Sequence, residues 1–301
     1  MKKLLLFVLM AITAISFNAC SKDGIDDSPI IEFKDPNFLE EILAGYNSNW
    51  IDINRDGQIS EKEASLATTL TIGKIGANIR GMDEIDYFTA LTVLYCTYCN
   101  LPSLDISKNT ALTQLGCHGN KLTALDVSNN RALKELDCNY NQISSLDLSQ
   151  NTALERLGCG NNQLSSLDVS KNTMLNELIC SANDIEILDV SKNTVLTSLL
   201  CFSNQLTTLD VSNNSGLKEL DCSYNQISSL DLSQNTALER LECDKNKLTV
   251  LDISKCKNLK FLACGDNQLK SLVVYKYYPN DLELCLNYIT RNYGDIITYM
   301  E

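Results

Sequence analysis

Hydrophobic positions along most of this chain recur in one phrase: leucine, two residues, leucine, one residue, an apolar residue, two residues, asparagine. Leu112-x-x-Leu115-x-Cys117-x-x-Asn120 is one instance and Leu122-x-x-Leu125-x-Val127-x-x-Asn130 the next. Two phrases make one period. The first apolar slot holds cysteine, at Cys96, Cys117, Cys138, Cys159, Cys180, Cys201, Cys222, Cys243, Cys264 and Cys285, each 21 residues after the last. The second holds Val127, Leu148, Val169, Val190, Val211, Leu232 and Ile253. Leu-x-Cys alternation has the period of two that marks a short strand with one buried face. One such coil cannot bury its own apolar face, whereas stacked coils share a continuous core. The pattern predicts a solenoid with a parallel β-strand on one side of each coil and extended or short-strand segments on the other. Asn120 and its equivalents, through Asn267, follow each strand. An amide both donates and accepts, so it can satisfy main-chain groups freed where the chain leaves the sheet.

These residues resemble leucine-rich-repeat proteins, specifically the 21-residue cysteine-containing repeats of internalin-like surface proteins and of many Bacteroidota lipoproteins. The match is clear from about Leu91 to Asn267, with weaker edge repeats that place the array at 70–272. The motif specifies the fold and leaves function open, because this scaffold hosts many unrelated partners.

The cysteine column has two possible meanings. In-register neighbours on a parallel sheet sit about 4.8 Å apart, too far at Cβ for a relaxed disulfide, which needs roughly 3.5–4.5 Å. The thiols therefore read as small buried hydrophobes. Cys99 and Cys256 lie off the column, in slots that asparagine fills elsewhere. Going backwards, Leu70, Ile72, Ile75 and Asn78 are expected to continue the frame of Leu91, Leu94, Cys96 and Cys99.

Residues 1–19 have the form of a targeting segment: Lys2 and Lys3, an apolar stretch from Leu4 to Phe17, then Ala19 before Cys20. The arrangement is similar to a bacterial lipoprotein signal, which implies lipidation of Cys20 and an outer-membrane location exposed at the cell surface. Residues 20–30 form an acidic tether, read either as a surface-export signal or as a plain linker.

Residues 31–69 read as a small helical N-terminal cap. Pro36 to Asn47 predicts a helix with Phe38, Leu39, Ile42 and Leu43 on one face. It leads into a string with the spacing of an EF-hand loop. Asp52, Asn54 and Asp56 supply side-chain oxygens, Gly57 the sharp turn, Gln58 a carbonyl, Ser60 a water-mediated contact and Glu63 a bidentate carboxylate. Hard oxygen ligands suit Ca²⁺. The expected role is a structural cation that staples the cap, the alternative a loop that keeps the shape alone. Residues 273–301, crowded with tyrosines, read as a C-terminal cap over the open end of the stack.

Net charge is −13, and it becomes more negative if Lys2 and Lys3 are removed with the signal. Nucleic acid and anionic lipid are poor partners for such a chain; the expected membrane contact is the lipid on Cys20. The single histidine, His118, is expected to point into solvent, and no nucleophile elbow or phosphate loop accompanies it. The chain reads as no enzyme. Asp105, Asp126 and their equivalents put a carboxylate in every coil, either attracting cations or accepting hydrogen bonds from neighbouring coils.

If the strands line a concave face, residues flanking each cysteine point out from it. Ile179, Leu200 and Phe202 then form an apolar island with acidic residues on both sides. Tyr98, Tyr140 and Tyr224 stand at strand exits with His118 nearby in the frame. This face is the expected binding surface, for a protein partner in adhesion or, alternatively, for a glycan in nutrient capture; a structural envelope scaffold is the third reading. Lys192 and Asn214 are taken as outer-turn residues remote from it. Leu133–Cys159 and Leu217–Cys243 are nearly identical and start 84 residues apart, a four-coil duplication.

Overall fold

The structure, a computed structural model, describes residues 27–44, 51–73, 78–276 and 296–300. Cys20, the signal segment, Trp50, Ile75 and Cys285 lie outside the described residues.

Strands β1 (Thr69–Ile72), β2 (Val93–Cys96), β3 (Gln114–Gly116), β4 (Glu135–Asp137), β5 (Arg156–Gly158), β6 (Glu177–Ile179), β7 (Ser198–Leu200), β8 (Glu219–Asp221) and β9 (Arg240–Glu242) follow one another in the chain. With β11 (Phe261–Ala263) they form one ten-stranded sheet in sequence order. Every pairing is parallel, and from β2 to β9 the register is the repeat itself: Leu115 pairs Leu136, which pairs Leu157. On the other side of the last coils, β10 (Val250–Asp252), β12 (Ser271–Tyr275) and β13 (Ile297–Met300) make a second parallel sheet. The chain is a leucine-rich-repeat solenoid of the predicted kind. β12 crosses the expected boundary at residue 273, so Val273 and Val274 still belong to the stack, and β13 continues it.

The core runs unbroken from Ile31 to Val274 along the leucine, cysteine and valine columns. All eleven described cysteines are buried, and those of the column from Cys96 to Cys243 are free thiols. Burial pushes the Cys180 thiol up to about 12 and raises its neighbours in the column as well, for example Cys117 and Cys201.

Two asparagine columns bind coil to coil. In the first, Asn183 Nδ2 donates to the carbonyls of Cys159 and Cys180 at 3.0 and 3.1 Å, while its Oδ1 accepts from Leu164 N–H at 2.9 Å. This amide sits beside a turn whose preceding residue is left-handed in coil after coil: Tyr98, Tyr140, Ala182 and Tyr224 have φ of 53–55°. Such a residue costs about 1–2 kcal/mol outside glycine, and the amide's bonds offset that cost. In the second column Asn193 donates to Val169 and Asn172 carbonyls at 3.1 and 2.9 Å. There the Oδ1 of each asparagine from Asn109 to Asn235 is buried without a hydrogen-bond partner. Asn214 belongs to this column and is fully buried. It is no outer-turn residue: its polar side chain faces inward because carbonyls of two earlier residues need its N–H groups.

The aspartate row serves its own coil, not the neighbouring ones. Asp126 Oδ1 accepts from Ser128 N–H at 2.9 Å, and Asp105 to Asp252 repeat the arrangement.

The first coil is longer than the frame suggests. β1 pairs Leu70 with Leu94 and Ile72 with Cys96, so Leu70 takes the place of Leu94 and not of Leu91. Gly73 follows at φ +145°, where a Cβ would collide with the Thr97 carbonyl. In the cap, helix α1 (Pro36–Leu43) starts at Asp35, whose side chain accepts from Asn37 N–H, and buries Phe38 and Ile42. A second helix, α2 (Glu61–Leu66), follows the loop. Ile30 bridges Ser60 in antiparallel fashion, with Ile31 N–H donating to the Ile59 carbonyl and Glu61 N–H to the Pro29 carbonyl, both at 2.9 Å. The end of the expected tether is therefore part of the cap.

Candidate binding face and cap loop

Alternation along each strand buries the leucine and the cysteine and turns the residues on either side outward. In-register pairing then sets those outward residues in rows across the sheet. One row reads Gly116, Asp137, Gly158, Ile179, Leu200, Asp221, Glu242. The positions after the cysteines, from His118 to Asp244, form a second.

Ile179 and Leu200 are paired neighbours, and Phe202 follows Leu200 by two residues, hence on the same face. All three are half-buried. The island is therefore a real juxtaposition, but its flanks differ. On one side Asp221 pairs directly with Leu200. On the other the immediate neighbours are Gly158 and Gly160, both buried, with Asp137 a further coil away. Acidic residues touch the island on one side alone.

Asp221 accepts from Ser223 N–H at 3.0 Å and from its hydroxyl at 2.5 Å. Burial nevertheless pushes its carboxyl up to about 6, with Glu242 and Asp244 adding like-charge repulsion. Asp244 is raised by burial first and by Glu242 second. Arg240 is committed to Glu242 and, at 3.5 Å, to Glu219. Sequence reading noticed acidic neighbours but not this half-buried group; the rows contained it once the 21-residue register was laid out.

His118 is not a free surface histidine. Its Nδ1 lies 3.1 Å from Asp137 Oδ2, and its ring meets Tyr98 edge-on with centroids 4.9 Å apart. Tyr98 covers Gly119 and Tyr95 covers Gly116, where in both cases a Cβ would strike the ring. Tyr98, Tyr140 and Tyr224 are all exposed but sit two and four coils apart. Tyr224 lies in the coil after Phe202, and Lys245 Nζ covers it, 4.2 Å from the ring centroid and 3.0 Å from the hydroxyl. The structure groups Tyr98 with His118, and Tyr224 with Lys245. It leaves Tyr140 apart from both and from the island.

In the cap loop, Gly57 has φ +80° and open space at its Cβ direction. Asp52, a buried residue, accepts from Asp56 and Gly57 N–H at 3.2 and 3.1 Å. Asn54 Oδ1 accepts from Asp56 N–H and Asp56 Oδ1 from Gln58 N–H. Each of these side-chain oxygens keeps a lone pair. Glu63 is different: Oε1 accepts from Ile53 and Asn54 N–H, and Oε2 from Ser60 N–H and hydroxyl. Its Oε2 completes a capping box at the start of α2, and the loop and cap donors together use its four acceptor sites. Among the described residues no three His, Cys, Asp or Glu side chains are gathered as a metal cluster. The oxygen donors of Asp52, Asn54 and Asp56 fit a hard cation; Glu63 joins them only by releasing the cap.

Comparison with known proteins agrees with this architecture. A family described as Leucine Rich repeats (2 copies) matches residues 131–172. Internalin J of Listeria monocytogenes serotype 4b (strain F2365) is 42% identical over 77 residues, 26% of this chain and 8% of that protein. The solved functional domain of InlJ from Listeria monocytogenes, which includes a cysteine ladder, is 38% identical over 81% of this chain and 55% of that one, with a TM-score of 0.73. A plant peptide hormone receptor, RGFR1 in complex with RGF2, shares the fold at 23% identity and a TM-score of 0.58, over 74% of this chain and 39% of that one. The chain thus spans less than two thirds of the length of these relatives.

Proposed function

We propose that this leucine-rich-repeat solenoid is a non-catalytic binding protein of the cell envelope that presents its strand face to a protein partner. The observation that carries the reading is the apolar island of Ile179, Leu200 and Phe202 in the middle of the face, bordered in its row by Gly158 on one side and Asp221 on the other. Large apolar groups collected at solvated positions mark interaction sites. The likeness to the cysteine-ladder domain of internalin J supports a scaffold of this type, and a receptor of the same fold holds a peptide hormone. Catalysis has poor material here: the histidine is engaged by Asp137 and Tyr98, and the raised cysteine column gives little thiolate, the nucleophilic form, at neutral pH.

The finer reading adds lipid attachment at Cys20, display at the outer membrane and Ca²⁺ held by Asp52, Asn54 and Asp56 with Gln58, Ser60 and Glu63. Glycan capture is the second reading. Tyr95, half-buried, and Tyr98, exposed, laid over Gly116 and Gly119 beside Asp137, favour it, since aromatic rings with nearby polar groups suit sugars.

The test is a pull-down from cell-surface proteins run beside a glycan array. Phe202→Ala and Leu200→Asp should weaken capture of the protein partner by roughly 1–3 kcal/mol without unfolding. Lys171→Ala and Lys192→Ala, both exposed, should leave it unchanged. Glycan binding abolished by Tyr98→Ala and indifferent to Phe202→Ala would transfer the function to the second reading.

A further inference from the structure

The carboxylates beside the island are not balanced by the chain itself. Arg240 serves Glu219 and Glu242, and Lys245 is turned onto the Tyr224 ring. Among the described residues no ammonium or guanidinium pairs with Asp221 or Asp244. Both are half-buried. The groups around Asp221 are Ser198 and Leu200 on β7, Glu219 on its own strand, and Arg240, Glu242 and Asp244 on the far side. A purely apolar partner covering Leu200 and Phe202 would strip more water from these carboxylates with nothing to replace it, a penalty that rejects such a partner. A cation in the same place converts the penalty into attraction.

We infer that the face docks an extended segment of a partner protein that carries a large apolar side chain and a lysine or arginine two residues apart, the apolar group on Leu200 and Phe202 and the cation over Asp221 and Asp244. This rests on the protein-binding reading above and specifies its partner. The spacing follows from two repeats. Neighbouring strands lie about 4.8 Å apart, while side chains on one face of an extended peptide recur at about 6.8 Å. A peptide running across the strands with its apolar residue over β7 therefore sets its next same-face residue between the coils of β8 and β9, which carry Asp221 at the end of β8 and Asp244 two residues past β9. Ionisation of Asp221 near pH 6 supports this site: above that value the carboxylate is charged and receives the cation, below it the attraction fades.

The experiment pans random display peptides of roughly a dozen residues on the full chain at neutral pH, then measures the enriched peptides by calorimetry. The expected winners pair Leu, Phe or Trp with Arg or Lys two residues away. Their affinity should fall about tenfold or more in Asp221→Asn/Asp244→Asn and on acidification below about pH 6, and should also fall in Phe202→Ala, with thermal melts showing each variant folded. Winners that lack a basic residue and ignore the double variant, yet still depend on Phe202, would overturn this inference and leave protein docking intact. Winners indifferent to Phe202 would remove both, and failure to enrich any peptide counts against the inference as well.

Discussion

At the residue scale, the two asparagine columns look alike in sequence and differ in physics. Asn183 has its N–H groups and its Oδ1 all engaged, so Asn183→Ala should strand the Leu164 main-chain N–H, at roughly 1–3 kcal/mol, while the Cys159 and Cys180 carbonyls keep the Asn162 and Asn204 donors. Asn193→Ala strands no main-chain group, since the Val169 and Asn172 carbonyls still accept from Asn172 and Leu175 N–H, and it removes a buried orphan oxygen; its loss in urea melts should be smaller. Equal losses would mean the orphan Oδ1 has a partner, such as a buried water. Cys180→Ala should cost about 1–2 kcal/mol through a small cavity, and denaturing alkylation without reductant should find every ladder thiol free. Sequence reading placed the first asparagine column correctly and misjudged Asn214 in the second. Polarity suggested a surface turn, whereas the residue's recurrence in each coil was the sign that main-chain groups depend on it.

At the element scale, the cap loop and helix α2 compete for Glu63. Its capping box stabilises α2 by an amount typical of such caps, about 1 kcal/mol, and Ca²⁺ would draw on the same oxygens. Millimolar Ca²⁺ should still raise the melting temperature, because a ligand held only by the folded chain stabilises it by mass action, about 2.7 kcal/mol at a hundredfold excess over Kd. Asp52→Ala should abolish the increment. Glu63→Ala should abolish it and also lower stability without the cation, which separates the two roles. Flat calorimetry and unchanged Trp50 emission would reduce the loop to a cap. The ligand spacing was legible because it is linear in sequence; where the Glu63 carboxylate turns was not, since it depends on N–H groups that only the folded loop brings together. The length of the first coil was hidden for a related reason: β1 keeps the strand pattern but reaches β2 by a longer path.

At the scale of the whole molecule, stability should respond to pH with two opposite slopes. The row from Asp105 to Asp231 is held below the ordinary aspartate range by Ser N–H and hydroxyl donors, the hydroxyl leading at Asp210. Depressed carboxylates stabilise the fold above their unfolded value and lose that contribution as pH falls below about 4. Asp221 is raised to about 6, so the folded form binds its proton first and gains stability as pH drops from about 6 towards 4; Glu177 and Asp244, also raised by burial, act in the same direction. The melting temperature should therefore climb slightly from neutral pH to about 5 and fall in stronger acid. Asp221→Asn should raise it at neutral pH and flatten the climb. Superimposable curves for the two proteins would refute that account. The array itself was almost wholly legible, because a constant period forces in-register stacking. Which charged side chains meet across the rows, as His118 meets Asp137, was not.

The antiparallel bridge at Ile30 gives the molecule a mechanical entrance. Any pull arriving from the N-terminal end meets its first main-chain fastening at Pro29–Ile31, held to Ile59–Glu61 by two main-chain hydrogen bonds and the buried Ile31 side chain. Load then passes to the loop and to α2 before it reaches the first coil. The cap therefore stands in series with the stack and should open under such a pull before the coils do, an order that single-molecule stretching of the full chain would read. A cation in the loop would raise the force at which the cap opens, so calcium would set how hard the protein can be tugged while its strand face stays intact.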